Sequence, residues 1–319
     1  NYSMSIDKKY IDLIVNVTSK GAISASKFIG KKDKISADQA AVNAMRAELN
    51  NLNINGKVVI GEGELDEAPM LFIGEKVGLG TGISVDIAVD PLEGTNFVAN
   101  NLPGGLSVIS IAEKGNLFQA PETYMNKIAY GKNVPDEAID LDFSVEKNIK
   151  NLAEVKNKKI NQLSVCILDR PRHKNIIENL KKLKVNVKLI SDGDVSGALL
   201  VTDEKYNIDL FMGIGGGPEG VLAACALDAF GCKFQGRFII ESDKDINRAQ
   251  KMGITDIKKK YILSEIIKGD SIFCATGITA GDLVNGVISN EKKHITETLV
   301  THKDSSLTKI VIKEDIIKP

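Results

Sequence analysis

Between residues 163 and 230 the chain alternates short β-branched runs with helical patterns, and this alternation restricts the fold more than any other feature. Residues 163–168, 185–190 and 208–212 read as strands. Residues 173–183, 195–201 and 219–230 read as helices. Strand–helix–strand units of this length argue for an α/β layer with a largely parallel sheet. Upstream, Ile11, Ile14, Val15, Ala22, Ala25, Phe28 and Ile29 recur at helical spacing, and the pattern closes at Gly30. A second helix is expected over 36–50, with Ser36 as its N-cap. Strands are expected over 57–60 and 83–89, and a hairpin from 107–112 and 117–120. The Lys- and Asn-rich stretch 145–161 reads as a boundary. It divides the chain into an N-terminal α+β subdomain, 1–155, and a C-terminal α/β subdomain, 156–319.

Forty-one basic against 42 acidic side chains leave a net charge of -1, without the basic excess that nucleic-acid binding requires. No apolar run reaches membrane-spanning length, and the polar segment 1–10 carries no signal-peptide core. Cys166, Cys225, Cys232 and Cys274 lie in or beside apolar stretches with no zinc-site spacing. They read as buried thiols of a reducing compartment, hence a cytoplasmic protein.

Acidic side chains gather where the expected strands stop: Glu62, Glu64, Asp66 and Glu67, then Asp86, Asp90 and Glu93. Asp86 and Asp90 are four apart on a strand and so share a face, and Pro91 should end the regular strand. Carboxylates this dense repel one another unless a divalent cation neutralises them, and hard cations such as Mg2+ take oxygen ligands. The plainer alternative, acidic solvated turns, suits Glu64 and Glu67 better than it suits the run Asp90-Pro91-Leu92-Glu93-Gly94-Thr95. Arg170 and Arg172 lie between a strand and a helix, where guanidinium forks suit a phosphate. Asp192 and Asp194 flank Gly193 in a turn and can accept hydrogen bonds from sugar hydroxyls; Asp194 also suits a helix cap. His173 reads as structural.

The run from Asp90 to Thr95 resembles the signature of the lithium-sensitive phosphatase superfamily, which includes inositol monophosphatases and fructose-1,6-bisphosphatases. The string VVIGEGELDEAPM over residues 58–70 is similar to the bacterial class II fructose-1,6-bisphosphatases. So are ADQAAVNAMR over 37–46, GIGGGPEG over 213–220 and ATGIT over 275–279. The likeness runs from about Asp7 to about Thr301. It implies a layered α/β/α/β/α sandwich of the sugar phosphatase and inositol monophosphatase type. It implies metal-dependent hydrolysis of fructose 1,6-bisphosphate to fructose 6-phosphate, a step of gluconeogenesis, by a homo-oligomer, dimer or tetramer, using Mg2+ or Mn2+. By motif position, Asp33 and Glu62 would hold one metal, and Asp90, Glu93 and Glu219 the other. Glu93, Gly94 and Thr95 would touch the departing phosphate. Tyr124, Arg170, Pro171, Arg172, Asp192, Gly193, Asp194 and Gly216 would contact substrate. Thr95 would position the attacking water, and Asp33 or Asp66 would take its proton, with no phosphoenzyme. Arg170 stands where the family often has lysine.

Two other activities fit parts of the pattern. Sedoheptulose 1,7-bisphosphate suits the same motifs. Gly215-x-Gly217-x-x-Gly220, after a strand and before a helix, also fits a dinucleotide fingerprint and hence an oxidoreductase, but Pro218 and Glu219 oppose it.

Overall fold

The computed structural model describes residues 5–64 and 68–319. Contacts divide the chain into two compact units, Asn1–Gln119 with Ile267–Pro319, and Ala120–Ile266.

The first unit begins with α1 (Tyr10–Ser26) and α2 (Lys34–Asn50). There follow β1 (Ile54–Ile60), β2 (Lys76–Val77), β3 (Ile83–Glu93), the short α3 (Thr95–Ala99) and β4 (Leu106–Glu113). Ile14, Val15, Met45 and Leu49 of the two long helices bury their apolar stripe with Ile87, Ile109 and Ile111 of the sheet. Asp33, not Ser36, caps α2: its carboxylate accepts the Ser36 N–H at 3.0 Å. The cap thus falls three residues earlier than expected. Pro91 does not end β3, which runs on to Glu93 through a register shift against β4 between Asp90 and Glu93. A bulge lets a strand carry a residue that cannot donate to the ladder.

The second unit comprises β5 (Tyr124–Tyr130), α4 (Val145–Lys156), β6 (Ser164–Leu168), α5 (Lys174–Lys182), β7 (Asn186–Ile190) and α6 (Asp194–Leu199). It continues with β8 (Leu210–Gly216), α7 (Gly217–Ala229), β9 (Lys233–Phe238), α8 (Asp243–Lys251), β10 (Tyr261–Ile262) and α9 (Leu263–Ile266). Its six-stranded sheet has the order β10-β9-β5-β8-β6-β7. Only β6 with β7 and β6 with β8 are parallel, so the sheet is mixed rather than largely parallel. Ile128, Ile149, Leu152, Val165, Ile167 and Leu180 form its core.

The chain then returns to the first unit as β11 (Ser271–Gly277), β12 (Ile288–Ser289), β13 (Lys293–His302) and β14 (Leu307–Ile316). These strands complete an eight-stranded sheet of order β12-β13-β11-β4-β3-β1-β2, with β14 on β13. Here β1 and β3 are the one parallel pair among the described strands.

The α/β class read from the sequence holds, in two sheets with helices. The expected hairpin does not form: β4 pairs with β3 and β11, and Leu117 makes only a bridge to Ile267. The expected boundary stretch is instead α4, capped by Ser144 and folded into the second unit. Its apolar residues are few because one narrow stripe, Ile149, Leu152 and Ala153, suffices to bury it. The four cysteines are free and buried, as expected. Among the described residues, no helix is long and apolar enough to cross a membrane.

The contacts therefore place the divisions at Gln119/Ala120 and Ile266/Ile267 rather than at 155/156. Residues 120–266, expressed alone, should unfold in one cooperative thermal transition. Residues 1–155 should show none, because β4 would lose β11 along its whole length. Circular dichroism melts of the two fragments check both outcomes.

Candidate active site

In the first unit, parallel pairing brings two candidate carboxylates to one level. Ile60 pairs with Ala88, so Glu62 and Asp90 each lie two residues further on, where β1 finishes and β3 meets its bulge. In open α/β sheets ligands collect outside such carboxyl ends. Gly61 is required there, since a Cβ would run into the Leu71 carbonyl, and the Glu62 N–H donates to that same oxygen at 2.9 Å. Glu93, 3% exposed, sits at the bulge opposite Leu106. Gly94 follows in the left-handed region with φ 82°, its missing Cβ leaving room for the Phe97 ring, and Thr95 opens α3 half-buried. The loop carrying Asp33 is laced to α3 by Gly30 N–H to Val98 O and Lys32 N–H to Ala99 O, both 2.9 Å. Asp33 itself is exposed, and hydrogen bonds from the Ser36 hydroxyl and then its amide hold its carboxyl below the usual carboxylate range. Asp66 lies outside the described residues.

Asp86, although on the strand with Asp90, does different work. It is buried and accepts the Gly115 N–H at 2.8 Å, fastening the turn after β4. Burial pushes its carboxyl up, against the opposing pull of those backbone hydrogen bonds.

In the second unit, β7, β6 and β8 are parallel neighbours, and the loops after them carry most of the remaining candidates. Pro171, Arg170 and Arg172 follow β6; Asp192, Gly193 and Asp194 follow β7; Gly216 and Glu219 lie at the end of β8 and the start of α7. Tyr124 begins antiparallel β5 opposite Gly216, at the same end of the sheet. Three loops and a strand start therefore converge because the strands between them share a direction.

The guanidinium groups are already tethered. Arg172 donates from Nε and Nη2 to the Ile214 carbonyl at 2.9 and 2.7 Å, and its Cζ lies 4.8 Å from the centre of the Tyr124 ring. Arg170 Nη1 donates to Ser191 O at 2.7 Å and Asp169 O at 3.1 Å. The fork expected for phosphate is thus spent by Arg172 on backbone, leaving Nη1 for a ligand. His173 is fully buried and structural, as expected: Nδ1 contacts Leu168 O at 2.8 Å, and Nε2 accepts the Ile214 N–H at 2.7 Å. Those partners assign the proton to Nδ1, and burial lowers its pKa, so the ring stays neutral.

Gly193 has φ 86°, and its N–H donates to Asp192 Oδ1 at 2.9 Å. Asp194 pairs with Lys127 of β5, and Lys127 Nζ also donates to the Gly216 carbonyl at 2.8 Å. Sequence reasoning missed both β5 and Lys127. The available signal was a single charge inside the run Met125 to Tyr130, which is otherwise uncharged. Glu219 Oε2 is buried and accepts no hydrogen bond among the described residues. Burial pushes the Glu219 carboxyl up, Lys127 opposes this, and Asp194 reinforces it.

The glycines after β8 make room for carboxylates rather than for a pyrophosphate. A Cβ on Gly215 would collide with Asp194 Oδ2, and one on Gly216 with Glu219 Oε2. This argues against the dinucleotide alternative. Among the described residues, no three His, Cys, Asp or Glu side chains are gathered as a metal cluster. The donors nevertheless suit a hard cation: they are carboxylate oxygens, and the orphaned Glu219 oxygen is of the kind a cation satisfies.

The family model described as bacterial fructose-1,6-bisphosphatase, glpX-encoded, matches residues 8–315, and the chain belongs to that family. Curated relatives include proteins of Microcystis aeruginosa and Synechocystis sp., each 40% identical over 326 residues and covering 93% of both chains. A Synechococcus elongatus protein is 39% identical over 323 residues, with the same coverage. All three are named D-fructose 1,6-bisphosphatase class 2/sedoheptulose 1,7-bisphosphatase. Among solved structures, an inositol monophosphatase from Anabaena overlaps 61% of this chain and 71% of its own, at 12% identity and a TM-score of 0.32, too slight an overlap to argue from.

Gly216→Ala should misplace Glu219 and lower kcat/KM by about 10²-fold, the scale of an ångström-sized error in a site. The melting temperature should fall only a few degrees. Steady-state kinetics beside a thermal melt checks this.

Proposed function

We propose that this chain hydrolyses the 1-phosphate of fructose 1,6-bisphosphate to fructose 6-phosphate and phosphate, with Mg2+ or Mn2+ bound. The observation that carries this reading is the family match over residues 8–315, supported by the convergence of Arg170, Arg172, Asp192 and Asp194 on one end of the second sheet. Sedoheptulose 1,7-bisphosphate is the second substrate considered, because the relatives' name carries both activities. The resemblance also suggests a cytoplasmic homo-oligomer.

Asp33, Glu62, Asp90, Glu93 and Glu219 are the carboxylates assigned to cations. A divalent cation, when bound, supplies charge neutralisation at the phosphate and a water of lowered pKa. Thr95 would hold the attacking water by its hydroxyl. Asp33, kept ionised by Ser36, accepts a proton only as a weak base, and Asp66 is the alternative acceptor. Gly94 and Thr95 offer backbone N–H groups to the departing phosphate. Arg170 and the free Nη1 of Arg172 hold the phosphate that stays on the sugar. Arg172 and Tyr124, already stacked, need no reordering to do so. Asp192 and Asp194 accept hydrogen bonds from sugar hydroxyls.

Purified protein should release phosphate from fructose 1,6-bisphosphate with Mg2+ or Mn2+ and stop on chelation. Parallel assays with sedoheptulose 1,7-bisphosphate rank the two substrates, and no release from either would sink the reading. Thr95→Ala should lower kcat by about 10²-fold, the scale of a lost positioning hydrogen bond at the reacting centre. Glu62→Gln should raise the metal concentration for half-activation; an unshifted metal titration removes Glu62 from the ligand set.

A further inference from the structure

Lys127 is 2% exposed, in the middle of β5. A lysine this deep in a sheet is costly unless its ammonium is paired and its stem has space. Both conditions are met by specific residues. Its two cross-strand neighbours are glycines, Gly213 on β8 and Gly236 on β9. A Cβ on Gly220 of α7 would come within 3.3 Å of Lys127 Cδ. With no side chains of their own, the two glycines leave a slot beside the lysine stem, although a Cβ on Gly213 would first meet His173 and Ile167, and one on Gly236 would meet Met125 and Phe234. At the end of that slot the ammonium meets the Asp194 carboxylate and, at 2.8 Å, the Gly216 carbonyl. Asp194 opens α6 after β7, and Gly216 ends β8. The two strands are not neighbours, because β6 lies between them.

We propose that Lys127 is a positioning residue for sugar recognition, tying the turn after β7 to the end of β8 and so fixing the direction of the Asp194 carboxylate. This rests on the reading that Asp194 accepts hydrogen bonds from the substrate's hydroxyls. The Asp194 side chain is 10% exposed and its Oδ2 is spent on Lys127, so on this proposal Oδ1 is the atom that meets the sugar. Without the ammonium, Asp194 loses the partner that fixes its direction and turns away from the sugar. Binding of the sugar weakens more than the chemical step does, since Thr95 and all the assigned cation carboxylates but Glu219 lie in the first unit.

The test compares wild type, Lys127→Met, Lys127→Arg and a stability control, Asp209→Ala. Asp209 is also buried and ion-paired, with Lys156 at 2.7 Å, but it precedes β8 at the opposite end of the same sheet. KM and kcat are measured on fructose 1,6-bisphosphate, fructose 6-phosphate binding by calorimetry, and melting temperature in parallel. Lys127→Met should raise KM about tenfold or more and weaken fructose 6-phosphate binding by a similar factor, with kcat within about threefold, the pattern of lost uniform binding. Lys127→Arg should fall between wild type and the Met variant. Asp209→Ala should lower the melting temperature and leave KM within about twofold. Equal KM shifts in Lys127→Met and Asp209→Ala, or no KM shift in Lys127→Met, overturn the proposal. If wild type neither hydrolyses the bisphosphate nor binds fructose 6-phosphate, the functional reading fails instead. The Lys127–Asp194 tie is then judged by a thermal double-mutant cycle of Lys127→Met and Asp194→Asn, where strict additivity would contradict it.

Discussion

Parallel strand pairing is the constraint from which both groups of candidate residues follow. Where neighbouring strands run the same way, the loops leaving them emerge at one end of the sheet, and side chains remote in sequence become neighbours. In the first unit a single parallel pair, β1 and β3, sets Glu62 level with Asp90. In the second, β7, β6 and β8 bring together Arg170, Asp194 and Glu219, which are tens of residues apart. The antiparallel strands around them complete the sheets and supply the core. Tyr124 joins the second group only because β5 starts where β8 ends.

Charge burial then decides how these loops are held. Asp86 and Asp194 are both acidic and both follow the expected pattern of a carboxylate near a strand end, yet they are satisfied differently. Asp86 receives backbone N–H donors and secures a turn, a structural task. Asp194 receives a lysine ammonium and lies beside an orphaned carboxylate oxygen, an arrangement ready for a polar ligand. Arg170 and Arg172 are likewise pre-set by backbone carbonyls, so the entropic cost of ordering them falls on folding rather than on binding. His173 secures the same loops as a neutral ring whose two nitrogens both have backbone partners.

The sequence made the α/β alternation of residues 163–230 legible because strand and helix periods differ strongly and each run was bounded by turns. It made the chemistry legible because motifs such as Asp90 to Thr95 pack glycine, proline and carboxylates too particularly for a solvated turn. Three things were hidden. The α2 cap was assigned to Ser36 because serine is a good cap, but Asp33 is better placed to accept the Ser36 N–H. The return of β11–β14 to the first sheet was not legible because long-range antiparallel pairing leaves no local mark. Lys127 was overlooked because a lone lysine reads as surface, and its burial becomes visible only when β5 is seen between β8 and β9.

The most direct test of the account is a crystal structure of the protein with Mn2+ and fructose 6-phosphate, with the metals located by anomalous scattering. The account predicts manganese peaks bonded to carboxylate oxygens of Asp90 and Glu93, and the sugar phosphate against Arg170 and Arg172 with hydroxyls on Asp194. Manganese absent from those carboxylates, or the sugar phosphate seated away from both arginines, would contradict it.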